Sequence, residues 1–232
     1  MAKQPIAKQP VNEGVLDRDK RRVIRLQAQL VQQGRFFLAG GTGLGLHLGH
    51  RLSDDLDWFT PARFDAKALM ANLAGLSERP VGVRQDGQYT VRAYYDRPGM
   101  PEQLETSFIT YEQVAARPET VSVGGTTIPL ADIDLLAAMK AAVLHDRGGR
   151  RDFIDVHAIS RLPGWSVGRF IEHGARMLPL QPEQIARALT YFADAEKQPM
   201  PKGCKVSWEQ VKSDLEAGVR QWERSRKRGI DR

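Results

Sequence analysis

The sequence predicts an α/β protein, of the α+β kind, in which a mixed sheet with helices is followed by a C-terminal helical bundle. Two observations lead to this prediction. Short apolar runs alternate with segments of helical apolar spacing up to Pro80, and Pro80–Pro129 consists of short β-like runs before helical spacing returns for the rest of the chain. We therefore expect a disordered tail over residues 1–14, an α/β domain over 15–130 and a helical domain over 131–232.

The elements of the α/β domain follow from local patterns. The tail carries the sequence AKQP twice, and polar segments of this kind with prolines rarely order. A helix is predicted over 16–33, because its apolar residues have helical spacing and Gly34 follows. The segments predicted after it are a strand over 35–39, a helix over 42–49, a strand over 54–59, a helix over 65–76 and strands over 81–84, 88–95, 104–110, 121–123 and 126–129. Gly124-Gly125 between the last two strands suits a tight hairpin.

The C-terminal part is predicted to be entirely helical. Helical spacing recurs in segments that are separated by Pro163-Gly164, Leu178-Pro179 and Pro199–Gly203. Proline and glycine interrupt helices, so each of these positions is expected to be a break between two helices. The predicted helices are 131–145, 151–161, 167–177, 182–195 and 207–228.

The bulk properties exclude several classes of protein. Of the 232 residues, 41% are hydrophobic and 27% are charged, which is typical of a globular protein in water. No apolar run approaches the roughly 20 residues that cross a bilayer, and the N-terminus lacks the apolar stretch of a secretory signal. Cys204 is the single cysteine, so no intramolecular disulfide and no cysteine-based metal cluster is expected. We expect a cytoplasmic location and no membrane partner, and the net charge of +6 mildly favours a polyanionic partner.

The segment between residues 36 and 60 has the clearest functional pattern. An apolar run ends at Gly40-Gly41-Thr42, and a helical segment leads from there to Asp55-Leu56-Asp57. Alternate residues of a strand share a face, so Asp55 and Asp57 are expected side by side, where they favour a hard cation such as Mg²⁺. A glycine turn before a helix is suited to binding phosphate. The alternative is two surface acids beside an ordinary turn, since neither familiar glycine-rich phosphate pattern fits here.

Polar residues in the predicted helices have more than one interpretation. Lys140 stands in an apolar helix, where it either extends to solvent or reaches a phosphate or a carboxylate. Asp152 and Asp155 share a helix face and belong either to such a site or to a surface network of arginines and acids. His50 and Arg51 are expected at the C-terminal end of the preceding helix, where positive charge is favourable.

These motifs resemble those of a known family. The stretch over residues 37–59 looks like the first motif of the AbiEii/AbiGii toxin family, and Ala138–Lys140 and Arg151–Asp155 resemble its lysine and R/K-D-x-x-D motifs in the same order. The resemblance implies a nucleotidyltransferase fold, distantly similar to DNA polymerase β. It also implies a toxin, usually encoded beside an antitoxin, that moves a nucleotide from an NTP to an acceptor. In some relatives that acceptor is the 3′ end of a tRNA.

The resemblance also implies roles for individual residues. The residues expected to bind the nucleotide are Gly40, Gly41, Thr42 and Lys140. The expected catalytic residues are Asp55, Asp57, Lys140, Asp152 and Asp155. In this assignment the first two acids ligate Mg²⁺, the lysine neutralises phosphate charge, and the last two acids position the lysine or activate the acceptor.

One position departs from the family pattern. Where relatives often carry a third acid, this chain has Ser107, and Glu105, two residues earlier on the same strand face, is the candidate to replace it as a metal ligand. Mg²⁺ often uses only one or two protein carboxylates, so the departure affects catalysis more than nucleotide binding. The first hypothesis is therefore a Mg²⁺-dependent nucleotidyltransferase acting on RNA or protein. The alternatives are a catalytically degenerate nucleotide- or partner-binding module, and a kinase-like transfer of the terminal phosphate.

Overall fold

The computed structural model describes residues 11–112 and 117–230, and the chain divides into two compact units. The first unit contains the chain up to Gly49 together with Asp54–Asp132. The second unit contains His50–Ser53 together with the chain from Ile133 onward. The short segment His50–Ser53 therefore groups with the C-terminal helices, although it precedes most of the first unit in sequence.

The first unit is built on a seven-stranded mixed sheet. Its strands are β1 (Phe37–Ala39), β2 (Leu56–Thr60), β3 (Gly82–Gln85), β4 (Thr90–Tyr95), β5 (Leu104–Thr110), β6 (Glu119–Val123) and β7 (Thr126–Leu130). The order across the sheet is β3-β4-β5-β2-β1-β7-β6. The pairs β1–β7 and β2–β5 are parallel, and the other neighbours are antiparallel. This topology confirms the predicted mixed sheet, and Gly124 and Gly125 form the predicted hairpin turn with φ of 54° and 78°.

The described part of the first unit contains three α-helices, and side chains cap the beginnings of the first and the third. They are α1 (Arg18–Gln33), α2 (Gly40–Leu48) and α3 (Ala66–Ala74). The Asp17 carboxylate accepts the backbone N–H of Lys20 at 2.8 Å, and the Asp65 carboxylate accepts that of Lys67 at 2.8 Å. These are N-caps of α1 and α3, which satisfy N–H groups that have no partner inside the helix.

A buried polar side chain ties α1 to the sheet. Gln27 is fully buried, and its side-chain oxygen accepts the indole N–H of Trp58 at 2.8 Å. Its amide nitrogen donates to the hydroxyls of Tyr95 and Thr106 at 3.1 Å each. Because buried polar groups without partners are costly, these bonds specify how α1 packs on β2, β4 and β5.

The predicted disordered tail is wrong for its last residues. Residues 1–10 lie outside the described part of the chain, but Glu13–Val15 form a 3₁₀ turn. The backbone N–H of Asn12 donates to the carbonyl of Leu46 at 2.7 Å, and its side-chain amide donates to the carbonyl of His47 at 2.9 Å. These carbonyls lie in the last turn of α2 and lack partners within the helix. Asn12 is ordered because it satisfies them.

The second unit is helical, as predicted. Its α-helices are α4 (Ile133–Arg147), α5 (Arg150–Ser160), α6 (Val167–Met177), α7 (Pro182–Ala188) and α8 (Trp208–Ile230). Within the described ranges, none of the helices of either unit is both long and apolar enough to cross a membrane.

The prediction of one helix over 182–195 is wrong in its length, because α7 ends at Ala188. Phe192 lies beyond this end and packs against Phe153 and Trp208, with ring centroids 4.9 Å and 5.6 Å apart. Aromatic pairs of this kind contribute beyond the area they bury. The contacts of Phe192 therefore outweigh the local preference for a longer helix.

Candidate active site

The structure places the predicted site residues in two groups, one in each unit. In the first unit they lie at the beginnings of α2 and β2, with two further polar residues on β5. The members are Gly40, Gly41, Thr42, Asp55, Asp57, Glu105 and Ser107. In the second unit they lie on α4 and α5, and the members are Lys140, Asp152 and Asp155.

The turn from β1 into α2 brings the backbone of Gly40 against the carboxylate of Asp57. Gly40 has a φ of 62°, in the left-handed region that favours glycine. A Cβ added at this position would lie 2.4 Å from Oδ2 of Asp57. Ala39 and Asp57 are partners in the β1–β2 pairing, which sets this approach. Glycine is therefore required at residue 40 both for the turn and for the closeness of the carboxylate.

The side chain of Thr42 binds the backbone of Asp55, the first of the two acids. That side chain is buried, and its hydroxyl donates to the backbone carbonyl of Asp55. This bond connects the first turn of α2 to the residue before β2. The predicted nucleotide-binding residue Thr42 thus has an observed structural contact, whereas Gly40 and Gly41 are partly exposed at the start of the helix.

The two acids of the first group alternate with buried residues. Leu56 and Trp58 are fully buried, while Asp55 and Asp57 are half-buried. Asp57 lies on β2 and Asp55 directly precedes it, so strand alternation predicts that the two carboxylates point to the same side of the chain. This burial pattern is the one that the sequence predicts.

Glu105 is engaged by its neighbours on the sheet. Ser107 is the parallel-strand partner of Asp57, and the Ser107 hydroxyl donates to Oε1 of Glu105 at 3.3 Å. The guanidinium of Arg92 on β4 forms an ion pair with the same oxygen. The third-acid position is therefore occupied by a hydroxyl that points to Glu105, and the charge of Glu105 is countered by Arg92.

The predicted set of three metal-binding acids is not assembled. Across residues 11–112 and 117–230, no three His, Cys, Asp or Glu side chains are grouped so that they could hold a metal ion. The carboxylates of Asp55 and Asp57 remain as the candidate ligands, without Glu105. The physical reason is the ion pair with Arg92, which the order of β4 and β5 in the sheet creates.

Lys140 lies buried between two carboxylates of α5. Its Nζ is 2.7 Å from Oδ1 of Asp152 and 2.7 Å from Oδ2 of Asp155. Asp152 also accepts the backbone N–H of Gly149 at 3.1 Å, so it caps the start of α5 while it contacts the lysine. Of the alternatives for Lys140, the structure shows contact with carboxylates rather than extension into solvent.

Asp155 is the centre of a buried cluster. Its Oδ1 accepts Nε–H of Arg51 at 2.6 Å and Nε2–H of His50 at 2.7 Å, and its Oδ2 accepts Nη2–H of Arg51 at 2.8 Å. With Lys140 on Oδ2, this carboxylate receives hydrogen bonds from three side chains. Together with Asp152, these residues form a network that we call the Asp155 cluster.

His50 and Arg51 follow the C-terminal end of α2, as predicted, but their partner was not predicted. α2 ends at Leu48, and Gly49 follows with a φ of 61°. Both side chains bind Asp155, which is more than 100 residues away in sequence. The sequence around Arg51 shows no local pattern that indicates burial, so its need for a partner is evident only from the structure.

The ionisation of the Asp155 cluster follows from its contacts. Burial alone raises the pKa of the Asp155 carboxyl, but the charge of Lys140 and the hydrogen bonds from His50 and Arg51 outweigh it and hold that pKa well below its usual range. Burial likewise lowers the pKa of Lys140, and the charges of Asp155 and Asp152 reverse this and raise it. Lys140 is therefore a fixed cation and not a base at neutral pH.

Replacing Gly40 with alanine is expected to disrupt the first group. The new methyl would meet the Asp57 carboxylate at 2.4 Å, and the positive φ adds roughly 1–2 kcal/mol of backbone strain. The control is Gly125→Ala, where φ is 78° but no heavy atom lies within 4 Å of the added Cβ. Urea unfolding should show a larger loss of stability for Gly40→Ala than for Gly125→Ala. Equal losses would mean that the carboxylate can move away at no cost.

Comparison with known protein families agrees with the motifs. The sequence model of a family described as the nucleotidyl transferase AbiEii toxin, of type IV toxin–antitoxin systems, matches residues 26–226. The protein aq_aa25 of Aquifex aeolicus (strain VF5), described as uncharacterized, is 27% identical over 217 residues. That match covers 89% of this chain and 97% of the relative.

Two solved structures are similar over most of the chain. JHP933 from Helicobacter pylori has a TM-score of 0.59 and 16% identity, and the match covers 95% of this chain and 97% of that one. MenT4, the nucleotidyltransferase toxin Rv2826c from Mycobacterium tuberculosis H37Rv, has a TM-score of 0.58 and 19% identity, with coverage of 90% and 87%. At these identities the similarity shows a shared fold, and the predicted nucleotidyltransferase fold is confirmed.

Proposed function

Because the chain belongs to the AbiEii nucleotidyl transferase toxin family, we propose that it is a Mg²⁺-dependent nucleotidyltransferase that moves a nucleotide from an NTP to an RNA acceptor. The observation that carries the proposal is the packing of the Asp57 carboxylate against the backbone of Gly40, where β1 turns into α2. This packing puts a metal-binding type of side chain beside the partly exposed N-terminus of a helix. A triphosphate and its metal ion need this combination of groups.

The residues present fit a magnesium ion. Mg²⁺ prefers oxygen ligands, retains several waters and is usually bound by one or two carboxylates together with substrate phosphates. Asp55 and Asp57 are two half-buried carboxylates separated by one residue, which satisfies this requirement without Glu105. When bound there, the ion would supply positive charge that counters the negative charge of the transferring phosphoryl group.

The N-terminus of α2 is proposed to hold the triphosphate. The first N–H groups of a helix have no partner within it and carry the positive end of the helix dipole, so they attract phosphate. Gly40 and Gly41 have no side chains that would keep a phosphate from the backbone, and both are partly exposed. Thr42 is proposed to act mainly by fixing the backbone of Asp55 through its hydroxyl.

Lys140 is proposed to counter phosphate charge, with Asp152 and Asp155 as its positioning residues. A lysine ammonium has three donors, and two of them point to these carboxylates. The third is proposed to donate to a phosphate oxygen. His50 and Arg51 take part by binding Asp155, which restricts where the carboxylate and hence the ammonium can lie.

A catalytically degenerate binding module is the second candidate. It is favoured by one specific observation, which is that Ser107 stands beside Asp57 where a third acid is expected and that Glu105 is paired with Arg92. In that case NTP and Mg²⁺ bind but no group is transferred. In either case we propose that the protein acts in the cytoplasm and that an antitoxin protein is its cognate partner.

The position of the label in the NTP tests the proposed reaction. Purified protein is incubated with Mg²⁺, total RNA or total protein, and each NTP carrying label at either the α- or the γ-phosphorus. Nucleotidyl transfer moves α-label into RNA and releases the γ-label with pyrophosphate. Transfer of γ-label to protein would instead indicate a kinase-like reaction. Binding of NTP in calorimetry with no transfer of either label would support the degenerate module.

A further inference from the structure

The second unit contains a cavity that is separate from the Asp155 cluster. It has a volume of about 350 Å³ and is lined by the C-terminal end of α4, by α7 and by the segment after α7. Tyr191 is one of its lining residues and is 62% exposed. A large aromatic side chain left so open at a cavity offers a flat apolar face to a ligand.

Two cations without partners line the same cavity. Arg147 at the end of α4 and Arg187 on α7 are exposed, and neither side chain has a hydrogen bond or ion pair to any other described residue. Arg150 of the same unit, by contrast, is engaged, because it donates to the carbonyls of Ala195 and Glu196. Guanidinium groups that are free of internal partners and share one cavity are suited to binding phosphate.

The cavity is also lined by hydrogen-bond acceptors. Asp146 and Asp194 are among its lining residues, and they balance the formal charge of the two arginines. A bare anion such as inorganic phosphate gains little from such a lining, because the carboxylates repel it. A nucleotide has a phosphate, an aromatic face and a base edge with both donors and acceptors, so it can use every group that the cavity presents.

We propose that this cavity binds one unpaired nucleotide of a single-stranded RNA, with its base stacked on Tyr191 and phosphates near Arg147 and Arg187. The volume lies at the lower end of the range for ligand sites, about 300–1,000 Å³, which suits a single nucleotide. Arg147 is seven residues beyond Lys140 on α4, or about 10 Å along the helix axis. The proposal rests on the proposed function, since the RNA held here is the acceptor strand.

The test measures binding of a fluorescein-labelled single-stranded oligoadenylate by fluorescence anisotropy, without NTP. Stacking of a base on an aromatic side chain is worth about 1–3 kcal/mol, so Tyr191→Ala should weaken binding by about 5- to 150-fold. Tyr191→Phe keeps the ring and should bind like the wild type. Substitution of both Arg147 and Arg187 by glutamine should reduce the slope of log K against log salt by about 1.4, because two phosphate contacts are lost.

The matched control removes two arginines elsewhere. Arg18 and Arg79 are exposed, lie in the first unit and have no ion-pair partner within the described ranges. Their double substitution by glutamine changes the net charge equally, and the slope of log K against log salt should stay the same.

Equal RNA binding by wild type and Tyr191→Ala would overturn the proposal. The absence of RNA binding by the wild type would also overturn it, and that result is expected if the cavity binds a protein partner. Because no NTP is present, these outcomes are independent of whether nucleotide transfer occurs.

Discussion

Replacing both Asp55 and Asp57 with asparagine is expected to lower nucleotide transfer by at least about 10³-fold, to background. Asparagine keeps the shape of each side chain but removes the negative charge that attracts Mg²⁺. The two acids flank fully buried Leu56, so the change leaves the apolar side of β2 as it is. The measurement is incorporation of α-labelled NMP into RNA at saturating NTP.

The neighbouring acid provides the control for this pair. Asp54 is exposed and offset by one residue from the shared face, so Asp54→Asn removes a charge without touching the proposed metal site. Its transfer rate should stay within a few-fold of the wild-type rate. Thermal unfolding of all variants checks that each is folded. If the double variant transfers NMP as fast as Asp54→Asn, the assignment of Asp55 and Asp57 as metal ligands is refuted.

Replacing Asp155 with asparagine is expected to lower the free energy of unfolding by about 3–5 kcal/mol. The substitution leaves Lys140 and Arg51 buried beside a neutral amide, and an uncompensated buried charge is strongly destabilising. The amide also presents an NH₂ group to donors that need an acceptor. Urea unfolding followed by far-UV circular dichroism gives the change.

An exposed ion pair provides the control for Asp155→Asn. Glu112 accepts Nε–H of Arg63 at 2.7 Å, but both side chains are at least half exposed. Glu112→Gln makes the same carboxylate-to-amide change and should cost far less than Asp155→Asn, because an ion pair in water contributes little to stability. Similar losses for the two variants would mean that the Asp155 cluster contributes no more than a surface pair.

The stabilisation by Asp155 should also depend on pH in a defined direction. Its pKa in the folded protein is lower than in the unfolded chain, so the folded state favours the carboxylate. The contribution is fully present above the unfolded pKa of about 3.9 and is lost as the pH falls further. The stability difference between wild type and Asp155→Asn should therefore narrow below about pH 4. A constant difference down to pH 2 would contradict this account.

Local patterns were sufficient for most of the secondary structure. The bounds of β5, Leu104–Thr110, and of α6, Val167–Met177, are those that the sequence predicts. Strand alternation correctly predicted that Leu56 is buried between two half-buried acids. These features depend on residues within a few positions of each other, so a short window of sequence contains their cause.

Errors arose where a distant residue overrides the local pattern. Asn12 is ordered because it binds carbonyls at the end of α2, and α7 is short because Phe192 packs on Phe153 and Trp208. Similarly, the ion pair of Glu105 with Arg92 depends on which strands are neighbours in the sheet. In each case the two residues in contact are far apart in sequence, so a short window of sequence does not contain both.

The sequence by itself determined the fold class, the family and the two motifs that carry the candidate chemistry, because each is a run of residues with fixed spacing. Only the tertiary structure decided which charged side chains pair with each other in the interior. Arg51 and Lys140 meet on Asp155, although Arg51 is 104 residues from that acid. Burial makes this pairing obligatory, since an unpaired ion in the interior is too costly, and sequence spacing does not specify the partner.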